Sequence, residues 1–113
     1  MKRRNLGDSV GWTTLVSIPE YALTKRLEVE LVAYGKEAGF SWTATHYLPS
    51  TKYNEGRLMR TALVGWGKNL EEACDCLTKR VADLWEHIKN VPRNKLSPEA
   101  QVQQRYLMAL ISE

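Results

Sequence analysis

Gly65-Trp66-Gly67-Lys68-Asn69-Leu70-Glu71-Glu72-Ala73 marks the point where a strand ends and a helix begins. The side-chain oxygen of Asn69 is placed to cap the helix, and Glu72, three residues on, to reach back to the cap's own amide. The two glycines let the backbone turn tightly with no Cβ penalty. The corner sets how the chain reads on either side: a hairpin before it, an amphipathic helix after it.

After the corner, Leu70, Ala73, Leu77, Val81, Leu84 and Ile88 recur at helical spacing. Asn90-Val91-Pro92 ends that helix, because the residue before a proline resists αR geometry. Ser97-Pro98-Glu99 starts another with a cap and a first-turn proline, and Val102, Tyr106, Leu107, Leu110 and Ile111 form its apolar side. Before the corner, Phe40 to Leu48 alternates. Phe40, Trp42, Ala44, His46 and Leu48 share one face, and Ser41, Thr43, Thr45 and Tyr47 share the other. Residues 49–56 are turn-forming and imply a protruding hairpin tip. The return strand, Leu58 to Trp66, is expected to turn Leu58, Ala62, Val64 and Trp66 toward the core, with Arg60 as the exception, and Arg57, Met59, Thr61 and Leu63 away from it.

Residues 1–10, with Lys2, Arg3 and Arg4, read as a flexible basic arm. Trp12 to Ile18 is rich in aromatic and β-branched residues and reads as a short strand. Ser17 and Glu20 then have capping-box spacing around Pro19, and Leu23, Leu27, Leu31, Tyr34 and Ala38 fall on one stripe, which predicts a helix ending at Gly39. The expected order is β-α-β-β-α-α. This is an α+β fold, with a small, mainly antiparallel sheet and amphipathic helices packed on one face, in a single compact domain over 11–113. So small a sheet leaves edges exposed, which invites a partner strand or a homo-oligomer.

A chain of 113 residues is the size of one domain and buries a core without disulfides or metal. Its apolar content of 43% and charged content of 26% are ordinary for a globular protein, and the net charge of +3 is mildly basic. No apolar run approaches the ~20 residues that cross a bilayer, and the basic N-terminus lacks the apolar stretch of a secretory signal; no membrane role is expected. Cys74 and Cys76 point roughly 160° apart around a helix, so they read as unpaired thiols in a reducing, cytoplasmic setting.

The chemistry implied by the residues is sparse. His46 and His87 have no Cys or carboxylate at ligand spacing, so neither metal nor cofactor is expected, and His46 reads as a partly buried, hydrogen-bonded histidine. Cys74 in a first helical turn has no visible base and orienting group, and the chain reads as a non-enzyme. Gly65-Trp66-Gly67 lacks both the Gly-Lys-Ser/Thr ending of a phosphate loop and the third glycine of a dinucleotide fingerprint. Glu71 and Glu72 already answer the helix dipole there.

Residues 67–77 resemble the glycine-led helix start of HicB-type antitoxin domains, which also follows a β-hairpin. Residues 19–90, read as helix, hairpin and helix, resemble a double-stranded-RNA-binding domain. That family has a lysine-rich start to its last helix, where this chain has Leu70, Glu71 and Glu72. Neither resemblance assigns a family.

Two functional readings follow. Four tryptophans and five tyrosines in a short chain suit a protein-interaction domain, since aromatic and arginine side chains make interface hot spots. Tyr47, Tyr53, Arg57 and Trp66 lie in or near the hairpin. Such a domain would be an inhibitor or adaptor of the kind compact phage or mobile-element genes encode. The alternative is nucleic-acid binding by Lys52, Tyr53, Arg57 and Lys68 together with Arg3 and Arg4 of the arm, combining phosphate contacts with stacking. A protein partner ranks above a nucleic acid, because Glu55, Glu71 and Glu72 are interspersed with the cations.

Overall fold

Leu27, Val29 and Leu31 are buried, while Glu28 between them is exposed and Glu30 only half-buried. That period of two makes the segment a strand, and the helix expected there does not form. The computed structural model describes residues 7–34, 41–54 and 57–112, with side chains over 11–34, 41–51 and 61–111. The described chain runs β1 (Gly7–Ile18), β2 (Tyr21–Tyr34), β3 (Trp42–Asn54), β4 (Arg57–Gly67), α1 (Leu70–Ile88), a 3-10 turn (Arg93–Lys95), α2 (Pro98–Leu110) and β5 (Ile111–Ser112). It is an α+β domain with a curled antiparallel sheet and two helices, and its first half is two hairpins in succession.

The first hairpin turns at Pro19-Glu20, with Ile18 opposite Tyr21. Proline sets the first turn position, and Glu20 takes a left-handed φ of 70° at the second, as a type II turn requires. The Ser17–Glu20 spacing therefore belongs to a turn and not to a helix cap. β1 already begins at Gly7, inside the segment expected as a loose arm. Its register with β2 shifts twice. At the first shift Gly11 has φ 141°, a conformation open to glycine, and sits beside an extra residue, Val10. At the second, Leu15 faces Leu27 but Ser17 faces Ala22, so β2 carries the surplus length over Leu23–Arg26.

β3 and β4 pair from Trp42–Gly67 to Asn54–Arg57, with an irregularity between Pro49 and Tyr53. The stretch expected as a turn from Pro49 onward is therefore strand as far as Asn54. The faces expected for β3 hold in part: Ala44, His46 and Leu48 are buried, but so are Thr43 and Thr45 on the opposite face, and Phe40 lies outside the described residues. Those of β4 are reversed. Gly65 is buried, Leu63 packs on the core, and Ala62 and Trp66 are exposed. The cause is α1: a Cβ on Gly65 would fall on the backbone of Ala73 and Leu77, so the helix lies directly on the glycine and the bulky Trp66 must point away. The glycines of the corner thus serve helix–sheet approach as well as the turn.

The helices start as expected. Asn69 Oδ1 accepts from the Glu72 amide at 2.9 Å, and the Glu72 carboxylate accepts from the amide of Lys68, one residue before the expected Asn69. Ser97 Oγ accepts from the Ala100 amide, with Pro98 in the first turn. Both helix ends borrow side chains from elsewhere. The buried Gln104 donates to the carbonyls of Ile88 and Val91 at the end of α1, and Thr24 donates to those of Ala109 and Leu110 at the end of α2. The core joins Leu27, Val29, Leu48, Leu77, Val81, Trp85, Leu107 and Leu110 in one cluster. Among the described residues, no helix is long and apolar enough to cross a membrane.

Candidate binding cleft

β2 has two partners on one edge. Over Glu30–Ala33 it pairs with β3, and at Ala22–Leu23 it pairs with β5. Between those ladders β3 diverges, and the surplus residues of β2 arch outward. A cleft of about 330 Å³ opens there, lined by Lys25, Arg26 and Glu28 of β2, His46 and Tyr47 of β3, Trp12 of β1 and Tyr106 of α2.

The floor is a polar chain. His46, only 5% exposed, has Nδ1 2.8 Å from the Glu28 carbonyl and Nε2 2.8 Å from the Tyr106 hydroxyl. A carbonyl only accepts, so Nδ1 carries the proton, and neutral Nε2 accepts from the Tyr106 O–H. Burial pushes the His46 pKa down, opposed by the bond to Glu28 and by its carboxylate. Burial, aided by the Glu28 charge, pushes Tyr106 up. Both shifts favour the neutral pair that the geometry needs. The rings also stack, with centroids 5.9 Å apart.

The wall is aromatic. Trp12 is 57% exposed and lies 6.3 Å from Tyr47, whose hydroxyl donates to Glu30 at 2.7 Å. Trp12 also borders a shallower recess with Thr13, Thr14 and Glu28, so the indole stands as a ridge between two hollows. Lys25 and Arg26, both exposed, flank the cleft and bring two cations to its rim.

Of the residues expected to bind, Tyr47 lines this cleft. Trp66 is 44% exposed on the same outer face, but its partner on β3 is Thr43, four residues from Tyr47 and hence roughly 14 Å along the strand. Arg80 of α1 lies over its ring at 5.4 Å. Lys68 is exposed beyond the end of β4. Lys52, Tyr53 and Arg57 have their backbone in the β3–β4 hairpin, but their side chains lie outside the described residues, as do Arg3 and Arg4 entirely. Sequence reasoning missed Trp12, Lys25, Arg26 and Tyr106 as site residues. Lys25 and Arg26 reach the same rim because they fall in the surplus stretch of β2 between its paired residues Ala22 and Leu27, an irregularity that no local period announces.

Cys74 is half-buried on α1, and burial, then Asp75, pushes its thiol up, the opposite of activation by a helix start. Among the described residues, no three His, Cys, Asp or Glu side chains are grouped to hold a metal ion. No known protein family, curated protein or solved structure matches this chain.

Proposed function

We propose a non-catalytic interaction domain that binds a protein partner, as an inhibitor or adaptor, through the ridge of Trp12 and Tyr47 and the cationic rim of Lys25 and Arg26. The observation that supports this reading is the division of labour in the cleft. Its titratable floor is committed to internal hydrogen bonds, while its aromatic and cationic groups are turned outward. An exposed Trp and Arg beside a half-buried Tyr around a recess are the residue types that interface hot spots use. Cys74 and Cys76, both free, suit a cytoplasmic setting.

Affinity capture from host lysate with the tagged chain is expected to retain one protein in stoichiometric amount. Trp12→Ala is expected to abolish that retention, at a cost of about 2 kcal/mol or more in binding. Retention undiminished by Trp12→Ala and Arg26→Ala together would remove the cleft as the binding surface.

The second reading is a single-stranded nucleic acid stacked on Trp12 and Tyr47, with phosphates at Lys25 and Arg26. Glu28 and Glu30 on the same surface weigh against it. Labelled RNA or DNA shifted at low salt, with affinity falling steeply as salt rises, would put that reading first.

A further inference from the structure

The two long edges of the sheet are protected differently. β4 carries Arg57 and Arg60 and has α1 seated on it. β1 is twelve residues long, its single charge is Asp8, and it carries neither proline nor lysine. Natural edge strands discourage pairing with other chains by charge, proline, shortness or cover; among the described residues, β1 has the bulge at Gly11 and is flanked by α1 only beside Leu15–Ile18. Its outward residues Trp12, Thr14 and Val16 are all exposed, Val16 at 66%.

We propose that β1 pairs antiparallel with β1 of a second copy of this chain, about a two-fold axis at Thr14. This goes beyond the cleft reading and does not rest on it. The uncharged run Val10–Ile18 is centred on Thr14, so it is self-complementary in this register, and Asp8 falls outside it. Thr14 faces its own mate, and Trp12 of each copy faces Val16 of the other. Threonine pairs and aromatic–β-branched pairs are favourable cross-strand neighbours. Beside Leu15–Ile18 the edge borders a groove of about 360 Å³, closed by Cys74, Asp75 and Thr78 of α1, which receives the Val10–Gly11 end of the second strand. An isologous contact of this kind closes on itself as a dimer.

Sedimentation or light scattering on the purified chain is expected to give twice the 12.9 kDa chain mass. Val16→Glu and Trp12→Lys, both at exposed positions, are each expected to give the mass of one chain with an unchanged circular-dichroism spectrum. Mixed, they are expected to regain the doubled mass. The new carboxylate and ammonium then face each other on one flank, while Trp12 and Val16 meet on the other. Thr14→Lys, which sets two cations face to face on the axis, is expected to be monomeric. A native chain that stays at a single-chain mass at high micromolar concentration overturns the proposal, and so does a Thr14→Lys chain that remains dimeric.

Discussion

His46 engages both ring nitrogens, and each partner constrains its protonation. The Glu28 carbonyl demands a proton on Nδ1, and the Tyr106 hydroxyl needs a lone pair on Nε2. Adding a proton at Nε2 sets two donors against each other and buries a charge. The folded-state pKa therefore lies below that of the unfolded chain, about 6.5. The sign follows from linkage. Below that value the unfolded chain takes up the proton first, so the stability present above pH ~6.5 is lost as pH falls through the folded pKa. Thermal unfolding of the native chain is expected to show a midpoint that drops between pH 7 and pH 5, and His46→Gln is expected to flatten that part of the drop. An equal slope in both proteins would show that His46 is not the group responsible. The burial of this histidine was legible from its place among Trp42, Ala44 and Leu48. Its partners were not, since they stand 18 and 60 residues away and only tertiary structure brings them together.

At the scale of elements, the misreading of β2 has a definite physical source. Leu23, Leu27 and Leu31 are spaced by four, which is close to one helical turn and also an even number, so the same three leucines satisfy both periods. Val29 breaks the tie. On a helix it would sit away from that stripe; on a strand it shares their face, and it is fully buried. The helix starts at Asn69 and Ser97 were legible because caps are local chemistry, complete within four residues. The register of β4 was not, because it depends on α1 landing on Gly65. The turn joining β1 and β2 offers a clean test. Glu20 occupies a left-handed conformation that costs an L-residue about 1–2 kcal/mol, part of which glycine returns as extra freedom of the unfolded chain. Glu20→Gly is expected to raise the unfolding free energy by about 0.5–1 kcal/mol in denaturant titration. A loss of stability would mean that the carboxylate of Glu20 does more there than the backbone does.

For the whole molecule, the cleft exists because one strand is shared between two neighbours. Nothing within any single segment announces this. Tyr47 and His46 were readable as hairpin residues and Tyr106 as part of an apolar helix side, but their convergence with Trp12 requires β3 to leave β2 and α2 to enter the space. The two ladders on β2 also differ in chain separation. Ala33 and Trp42 are joined across a short connection, whereas Ala22 and Ser112 are 90 residues apart. Closing the longer loop costs more entropy, and only two residue pairs reward it. Among the described ladders, the β5 seam is therefore expected to close last during folding and to open first in the native state. Amide hydrogen exchange is expected to report this, with the Ala22–Leu23 amides that face β5 exchanging faster than those of Leu31 and Val32. Release of that seam frees the residues of β2 next to Lys25 and Arg26 without disturbing the hairpin ladders. The cationic rim of the cleft is thus joined to the rest of the sheet by its most easily opened described seam, which would give a partner bound there room to reshape it.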